Sequence, residues 1–239
     1  MSTTATDVNA FLLDLNTEIR DKKLSILDAD FLAAAEAGEL SRDQIERWAR
    51  VFYAATRNGR TILGTFYANS PDDAEVRREL AENLYEEETG RISGVNKCHM
   101  DVFFDLLAAF GIDATEAASL TSPLGDYVAQ GRAIAAEDYY VELAAYGLSI
   151  EAPNAEFCQR IFDALRSNYQ FSAQQLTWFS MHAELDADHG AEFQAHAAKA
   201  ALSPNGLNRL REHTLGMSEG AKLVWNGFDA WRATAAAVD

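Results

Sequence analysis

The sequence is poor in cysteine, proline, histidine and basic residues. Among 239 residues there are two cysteines, Cys98 and Cys158, which form no CxxC pair, four prolines and five histidines. This cysteine usage is typical of a reducing cytoplasm and excludes a zinc site built on thiolates. Lysine and arginine total 20 against 37 aspartates and glutamates, so the formal net charge is −17. Because such a surface repels phosphate backbones and anionic lipids, we expect neither nucleic acid nor a membrane as a partner.

Long apolar runs are absent as well. No stretch approaches the roughly 20 apolar residues that a helix needs to cross a bilayer. The first five residues, Met-Ser-Thr-Thr-Ala, are neither basic nor strongly apolar, so we expect no signal peptide. Hydrophobic residues still make up 48% of the chain, enough for a substantial core. These features predict a globular, cytoplasmic protein.

The apolar residues that are present recur at helical intervals. Pro71, Pro123, Pro153 and Pro204 each stand beside a small polar residue or glycine, so we expect them to separate helices. No alternating strand pattern and no repeat is found, which predicts a single all-α domain over residues 1–239. The expected helices cover about residues 7–15, 28–37, 42–66, 70–90, 96–110, 122–149, 154–168, 172–201 and 217–234, the last of which closes the bundle.

Three potential metal ligands lie close together in the expected helix over 172–201. His182, Asp186 and His189 are spaced i, i+4 and i+7, which places them within roughly 60° of arc on one helical face. The two histidines are about 10.5 Å apart along the helix axis, so their spacing favours two ions that share Asp186 over a single ion. The alternative is a polar face without a metal. Because Leu176 and Phe179 lie near the same face, we expect it to be buried, where unpaired polar groups are costly.

Two other segments supply candidate ligands. His99 is followed by Phe103 and Phe110 at helical spacing and should face the core, although a lone histidine there is more often structural. The run Glu86–Glu88 ends a helix, and two of its three carboxylates are expected to be solvated. Glu87 lies three residues after Leu84, which places it on the inward side. Helical bundles with two-metal sites collect carboxylates and histidines from several helices in this way.

Together these residues resemble the pattern of the haem-oxygenase-like di-metal oxidases. The similarity covers about residues 20–201 and is most specific at the His-x3-Asp-x2-His element. It includes Glu151, about thirty residues before that element, which on its own would indicate only a helix end. The other matching segments are Phe31-Leu32-Ala33, Gly38–Gln44, Trp48, Tyr53, Asn83–Gly90 and His99.

The resemblance implies a haem-oxygenase-like helical bundle that binds two Fe(II) ions and uses O2 as co-substrate. A loop over residues 91–97 separates the first two implied ligands and is longer than in some members, which leaves the choice of carboxylate open. Glu88 is the alternative to Glu87. The six implied ligands are Glu87, His99, Glu151, His182, Asp186 and His189.

The predicted function is that of a non-haem di-iron oxidase or oxygenase. Its substrate is expected to be a small organic molecule derived from an amino acid or a fatty acid. Reactions of enzymes that the chain resembles include oxidative C–C cleavage, N-oxygenation, and formation of p-aminobenzoate from a residue of the protein itself. A homodimer is a further expectation.

Two alternatives stay open at this point. One is a metal-independent enzyme of the same fold, similar to thiaminases or to quinone-cofactor synthases. A thiaminase-like reaction would need Cys98 or Cys158 as a reactive thiolate. The other alternative is a helical interaction module without catalytic activity.

Overall fold

The computed structural model describes residues 5–123, 139–185 and 190–233, and within these ranges the chain is helical. No β-strand occurs there, so the predicted all-α class is confirmed. The α-helices in the described ranges are α1 (Ala5–Asp21), α2 (Asp30–Glu36), α3 (Arg42–Thr56), α4 (Gly59–Asn69), α5 (Ala74–Thr89), α6 (His99–Ala108), α7 (Ala114–Ser119), α8 (Tyr139–Tyr146), α9 (Ala152–Tyr169), α10 (Thr177–Leu185), α11 (Gly190–Ala200) and α12 (Gly206–Trp225). Shorter 3-10 turns cover Ile26–Asp28, Gln174–Leu176 and Gly227–Arg232.

Local capping signals fix where several helices begin. The Ser41 hydroxyl accepts a hydrogen bond from the Gln44 amide at 3.2 Å, and the Gln44 side chain accepts one from the Ser41 amide at 2.8 Å. This reciprocal capping box starts α3. The prediction of one helix over 42–66 was wrong, because the chain turns at Arg57 and Asn58. The Asn58 amide bonds only three residues back, to Ala55, and so tightens the end of α3.

The C-terminal helix also differs from the prediction over 217–234. It begins at Gly206 and ends at Trp225, and a 3-10 turn follows. Phe228 and Asp229 in that turn have left-handed backbone angles, with φ of 50° and 58°, which no α-helix contains. The early part of α12 was missed because its sequence carries little apolar periodicity.

A continuous helix passes through the expected break at Pro153. Helix α8 leads into a π-helical turn over Gly147–Glu151, and α9 follows directly. The Ala152 amide accordingly bonds to the Gly147 carbonyl, five residues back. Pro153 has no amide hydrogen and would collide with a carbonyl four residues earlier in a regular α-helix. The wider π turn accommodates this proline without ending the helix.

The core has three parts of different character. The largest lies between α2, α3, α6, α9, α10 and α12 and is rich in aromatic rings, with Trp48, Phe52 and Phe103 fully buried. The second, between α1, α8, α11 and α12, has only aliphatic residues among its buried members. The third joins α4, α5 and α8 around Phe66 and Tyr146. Among the described helices, none has both the length and the apolar character that crossing a membrane requires.

Candidate metal centre

Three of the predicted ligands converge from three helices. Glu87 lies in the last turn of α5, His99 is the first residue of α6, and His182 lies in α10. One potential ligand atom from each lies within 4.8 Å of the other two. We call these three residues the candidate metal centre. It is assembled across the core, because the two histidines are buried and Glu87 is partly buried.

Both ring nitrogens of His99 face carboxylates. Nδ1 lies 3.0 Å from Oε1 of Glu87, and Nε2 lies 3.1 Å from Oε1 of Glu86. The Nδ1 side is the one that faces the centre, since Glu87 also approaches His182. A His99 ring that binds a metal through Nδ1 therefore donates its Nε2 hydrogen to Glu86. A carboxylate behind a ligating histidine fixes the ring orientation and increases the basicity of the nitrogen that binds the metal.

The ring of His182 is held in one tautomer. Its Nδ1 lies 2.8 Å from the Trp178 carbonyl oxygen, which can only accept a hydrogen bond, so Nδ1 carries the hydrogen. Its Nε2 then points to the centre, 3.7 Å from Oε1 of Glu87. The Trp178 ring covers the imidazole, with ring centroids 3.9 Å apart. The lone pair of Nε2 is thus available to a metal ion.

Electrostatics keep the Glu87 carboxylate ionised. Burial opposes ionisation, but hydrogen bonds and electrostatic attraction to the imidazoles of His182 and His99 outweigh it and lower the pKa of Glu87 to about 2. Burial also opposes ionisation of Glu86. Hydrogen bonds from Ser93, His99 and the Ile92 amide nevertheless lower the Glu86 pKa. Both carboxylates are negatively charged at neutral pH, which is the state that binds cations.

Glu86 also organises the loop between α5 and α6. Its carboxylate accepts hydrogen bonds from the backbone amides of Ile92 at 2.6 Å and Ser93 at 3.2 Å. Gly90 allows this turn, because its φ is +58° and an added Cβ would lie 2.3 Å from the Lys97 carbonyl oxygen. The loop that separates the two ligands in sequence is therefore folded against the carboxylate that supports His99.

The solvent exposure of the three consecutive glutamates, Glu86–Glu88, differs from the prediction. Two of the three glutamates were expected to be solvated, but only Glu88 is exposed, and it pairs with Arg60 at 2.7 Å. The structure brings Glu87, and not Glu88, to His99. Glu86 is 6% exposed and was missed as a functional residue. Its role depends on the loop turning back over α5, and no local sequence signal indicates that contact.

Of the other three predicted ligands, Glu151 is the one that lies in the described part of the chain. Glu151, the last residue of the π turn, lines the same cavity as Glu87 and His182 but is not within the 4.8 Å cluster. Asp186 and His189 lie outside the described residues. His196, on α11, pairs with Glu79 at 3.2 Å and not with the candidate metal centre.

A small cavity opens beside the candidate metal centre. Its volume is about 130 Å3, and most of its wall is apolar. The polar side chains in its wall include Glu87, Glu151, His182, Thr56 and Asn154. Its apolar wall includes Ala55, Ile62, Leu63, Met100, Tyr146, Ile150, Trp178, Met217, Val224 and Trp225. A substrate in this cavity would contact the metal-binding side chains directly.

The donor set fits an iron ion. Two neutral imidazole nitrogens and an ionised carboxylate are typical ligands of non-haem Fe(II), and the three atoms point into one volume. Each histidine is oriented by a hydrogen bond from its second nitrogen, as metal-binding histidines usually are. The described residues can therefore hold one ion, and Glu151 lines the same cavity.

Comparisons with known proteins agree with this chemistry. The profile of the family of iron-containing redox enzymes matches residues 46–219. The chain is 26% identical over 182 residues to 4-aminobenzoate synthase of Chlamydia pneumoniae, covering 73% of this chain and 78% of that protein. It is 24% identical over 188 residues to the 4-aminobenzoate synthase of Chlamydia trachomatis serovar D, covering 77% and 78% of the two chains.

The fold has a counterpart among solved structures. A crystal structure of a domain of unknown function with a heme oxygenase-like fold, from Shewanella denitrificans, superposes with a TM-score of 0.68. The alignment covers 92% of both chains at 16% sequence identity. At that identity the likeness establishes the fold alone, and it confirms the predicted haem-oxygenase-like architecture.

Proposed function

This chain belongs to the family of iron-containing redox enzymes, and from that premise we propose that it is a non-haem di-iron oxidase that uses O2. The observation that carries the proposal is the convergence of Glu87, His99 and His182 at the wall of an apolar cavity. Glu151 on the same wall, with Asp186 and His189, would complete a second iron site. When bound, the iron pair supplies electrons to O2 beside the substrate.

The side chains of the centre have separate tasks in this proposal. Glu87 and the two histidines bind the metal. The Trp178 carbonyl retains the Nδ1 hydrogen of His182, and Glu86 retains the Nε2 hydrogen of His99, so neither ligand loses its orientation when the charge of the centre changes. The apolar wall excludes water from the reacting atoms and favours a small organic substrate, derived from an amino acid or a fatty acid, for oxidative C–C cleavage or N-oxygenation.

The experiment is an anaerobic Fe(II) titration followed by exposure to O2. We expect two iron ions per chain, and a transient visible absorption with O2 uptake when oxygen is admitted. His182→Ala should abolish tight binding at the described site. His213→Ala is the matched control, because His213 lies outside the cavity wall and pairs with Glu142. Failure of the intact chain to bind iron would overturn the proposal.

A second candidate activity is the formation of 4-aminobenzoate, with a tyrosine ring of the chain as the source of its aromatic carbons and ammonium as the source of its amino nitrogen. Tyr146 favours it, since this phenol lies in the cavity wall with Glu87 and His182. After iron, O2 and an ammonium salt are added without another substrate, mass spectrometry should then show a modified Tyr146 and free 4-aminobenzoate. Both signals should disappear in Tyr146→Phe. An unchanged intact mass after several turnovers of O2 would exclude this route and leave the external substrate.

The metal-independent alternatives have less support. Neither Cys98 nor Cys158 is among the residues that line the cavity. Cys158 is buried, and Cys98 lies 3.4 Å from Arg60. The cytoplasmic location and the homodimer stay predictions.

A further inference from the structure

All four tryptophans of the chain belong to one group of packed aromatic rings. Five of these rings form a continuous row, which we call the aromatic column. Its consecutive centroid distances are 5.8, 4.9, 4.1 and 5.7 Å. From the inside outward the column consists of Trp178, Phe52, Trp48, Phe31 and Trp231.

The inner end of the column touches the candidate metal centre. Trp178 covers the His182 imidazole at 3.9 Å and also lines the cavity. Trp225, a second cavity residue, packs against Phe52 at 5.5 Å. Two indoles at the cavity wall are therefore connected to the same row of rings.

The outer end lies just beneath the surface. Trp231 is 8% exposed, and the Arg232 guanidinium lies 4.8 Å from its ring. A cation at that distance would disfavour removal of an electron from the indole. However, Arg232 is paired with both Asp30 and Asp229, which offset its charge.

Packing alone does not require this arrangement. The aliphatic part of the core, around Val141 and Leu210, reaches complete burial without a single buried ring. Aromatic residues are instead concentrated between the candidate metal centre and the Trp231 surface. Tryptophan is among the side chains that give up one electron most readily, whereas phenylalanine only bridges between them.

We propose that the aromatic column conducts single electrons from the surface at Trp231 to the metal centre. The proposal rests on the iron chemistry proposed above and supplies its route for reduction. One electron passes from Trp178 to the oxidised iron centre, which is reduced by one unit. Trp48 then reduces the oxidised Trp178, and Trp231 reduces the oxidised Trp48. A small one-electron donor in solution, such as ascorbate or a thiol, reduces Trp231 at the surface and is itself oxidised. One electron is lost by the donor and one is gained by iron.

The hydrogen bonds of the column allow this transfer without net movement of a proton. The Trp48 indole N–H donates to the Trp225 carbonyl at 3.0 Å, and an amide carbonyl is too weak a base to remove the proton. The Trp231 indole nitrogen is buried without a hydrogen-bond partner in the described part of the chain. The Trp48 and Trp231 indoles therefore keep their hydrogens while an electron passes through them.

The first test needs no iron. A ruthenium photo-oxidant is attached to the thiol of Arg232→Cys, flashed with a sacrificial electron acceptor, and oxidised tryptophans are mapped by mass spectrometry. We expect products at Trp231, Trp48 and Trp178. Trp48→Phe and Phe31→Leu should each confine them to Trp231, whereas the off-path control Phe157→Leu should not. Products confined to Trp231 in the otherwise unchanged chain would overturn the proposal.

The second test starts from the metal. Iron-loaded protein is treated with limiting peroxide in the absence of substrate and frozen for electron paramagnetic resonance. We expect a tryptophan radical that ascorbate removes, and loss of that ascorbate sensitivity in Trp48→Phe. If the chain binds no iron while the ruthenium test still shows transfer, the oxidase proposal fails and the electron path stands. A radical with unchanged ascorbate sensitivity in both Trp48→Phe and Phe31→Leu would refute the path.

Discussion

Two groups of buried and partly buried histidines and glutamates lie on overlapping sets of helices, and they differ in what their nitrogens face. In the candidate metal centre, nitrogens from two helices point at one carboxylate beside a cavity. In the second group, His196 pairs with Glu79 and His213 pairs with Glu142, each as a separate histidine–glutamate pair. The nitrogen Nδ1 of His196 has no hydrogen-bond partner in the described ranges.

Residue type and burial therefore do not by themselves make a metal site. His99 and His196 are both nearly inaccessible, at 2% and 1% exposure. His99 has a carboxylate on each side of its ring, one supporting it and one sharing the centre. Within the described ranges His196 faces one carboxylate, that of Glu79, so we expect this pair to contribute to stability and not to metal binding. Single substitutions in each group test this distinction.

The largest difference is expected between Glu86 and Glu79, the carboxylates that support one histidine in each group. Glu86→Ala removes the acceptor behind His99 and should weaken iron binding about 10- to 100-fold. Glu79→Ala should leave iron binding unchanged. Anaerobic titration of both variants measures the effect, and Glu86→Gln, which retains an acceptor oxygen, should recover part of the affinity. Equal iron affinities for Glu86→Ala and the unchanged chain would contradict the proposed role of Glu86 in supporting His99.

A smaller effect of the opposite kind is expected at His196. His196→Ala breaks a buried pair with Glu79 and should lower the free energy of unfolding by about 1–3 kcal/mol. Iron binding should stay as it was, because no atom of this pair reaches the cavity. Urea unfolding of the metal-free protein checks the first part, and iron titration checks the second. A loss of iron binding without a loss of stability would contradict this separation and show that His196 contributes to the metal site.

The smallest effect is a pH dependence with opposite signs in the two groups. The Glu87 pKa is lowered from 4.5 to about 2, so its contribution to stability is present above pH 4.5 and is lost as pH falls towards 2. Burial raises the pKa of Glu142 above 4.5, and His213 offsets only part of that shift. Acidification therefore stabilises the folded protein through Glu142 and destabilises it through Glu87.

Urea unfolding of the metal-free chain between pH 6 and pH 3 separates these contributions. Glu87→Gln should make the loss of stability on acidification shallower, and Glu142→Gln should make it steeper. Parallel curves for both variants and the unchanged chain would contradict the opposed signs.

Much of the candidate metal centre could be predicted from single residues and their spacing. The inward positions of Glu87, His99 and His182 follow from helical periodicity and apolar neighbours, which are local properties. The support of His99 by Glu86 could not be predicted, since it depends on the loop over residues 91–98 folding back on α5. Tertiary contacts decide which of the three consecutive glutamates lies against His99.

Features of the fold likewise divide into those that local sequence patterns predict and those that they do not. The all-α class, the capping box at Ser41 and the glycine that ends α5 follow from local patterns. The break at Arg57 and Asn58, the early start of α12 and the passage through Pro153 do not. At the first of these, the Arg57 side chain donates a hydrogen bond to the Leu120 carbonyl, a contact with a distant part of the chain.

The π turn over Gly147–Glu151 determines which side chains of its helix face the cavity. It adds one residue to a helix that is otherwise regular, so the segment before it is turned relative to the segment after it by about 100°. Tyr146 and Glu151 face one cavity because of that offset. In a regular α-helix two residues five positions apart point about 140° away from each other, so without the wide turn only one of these two side chains would face the cavity. The turn therefore lets a single helix place a phenol and a carboxylate in the same wall although they are five residues apart in sequence.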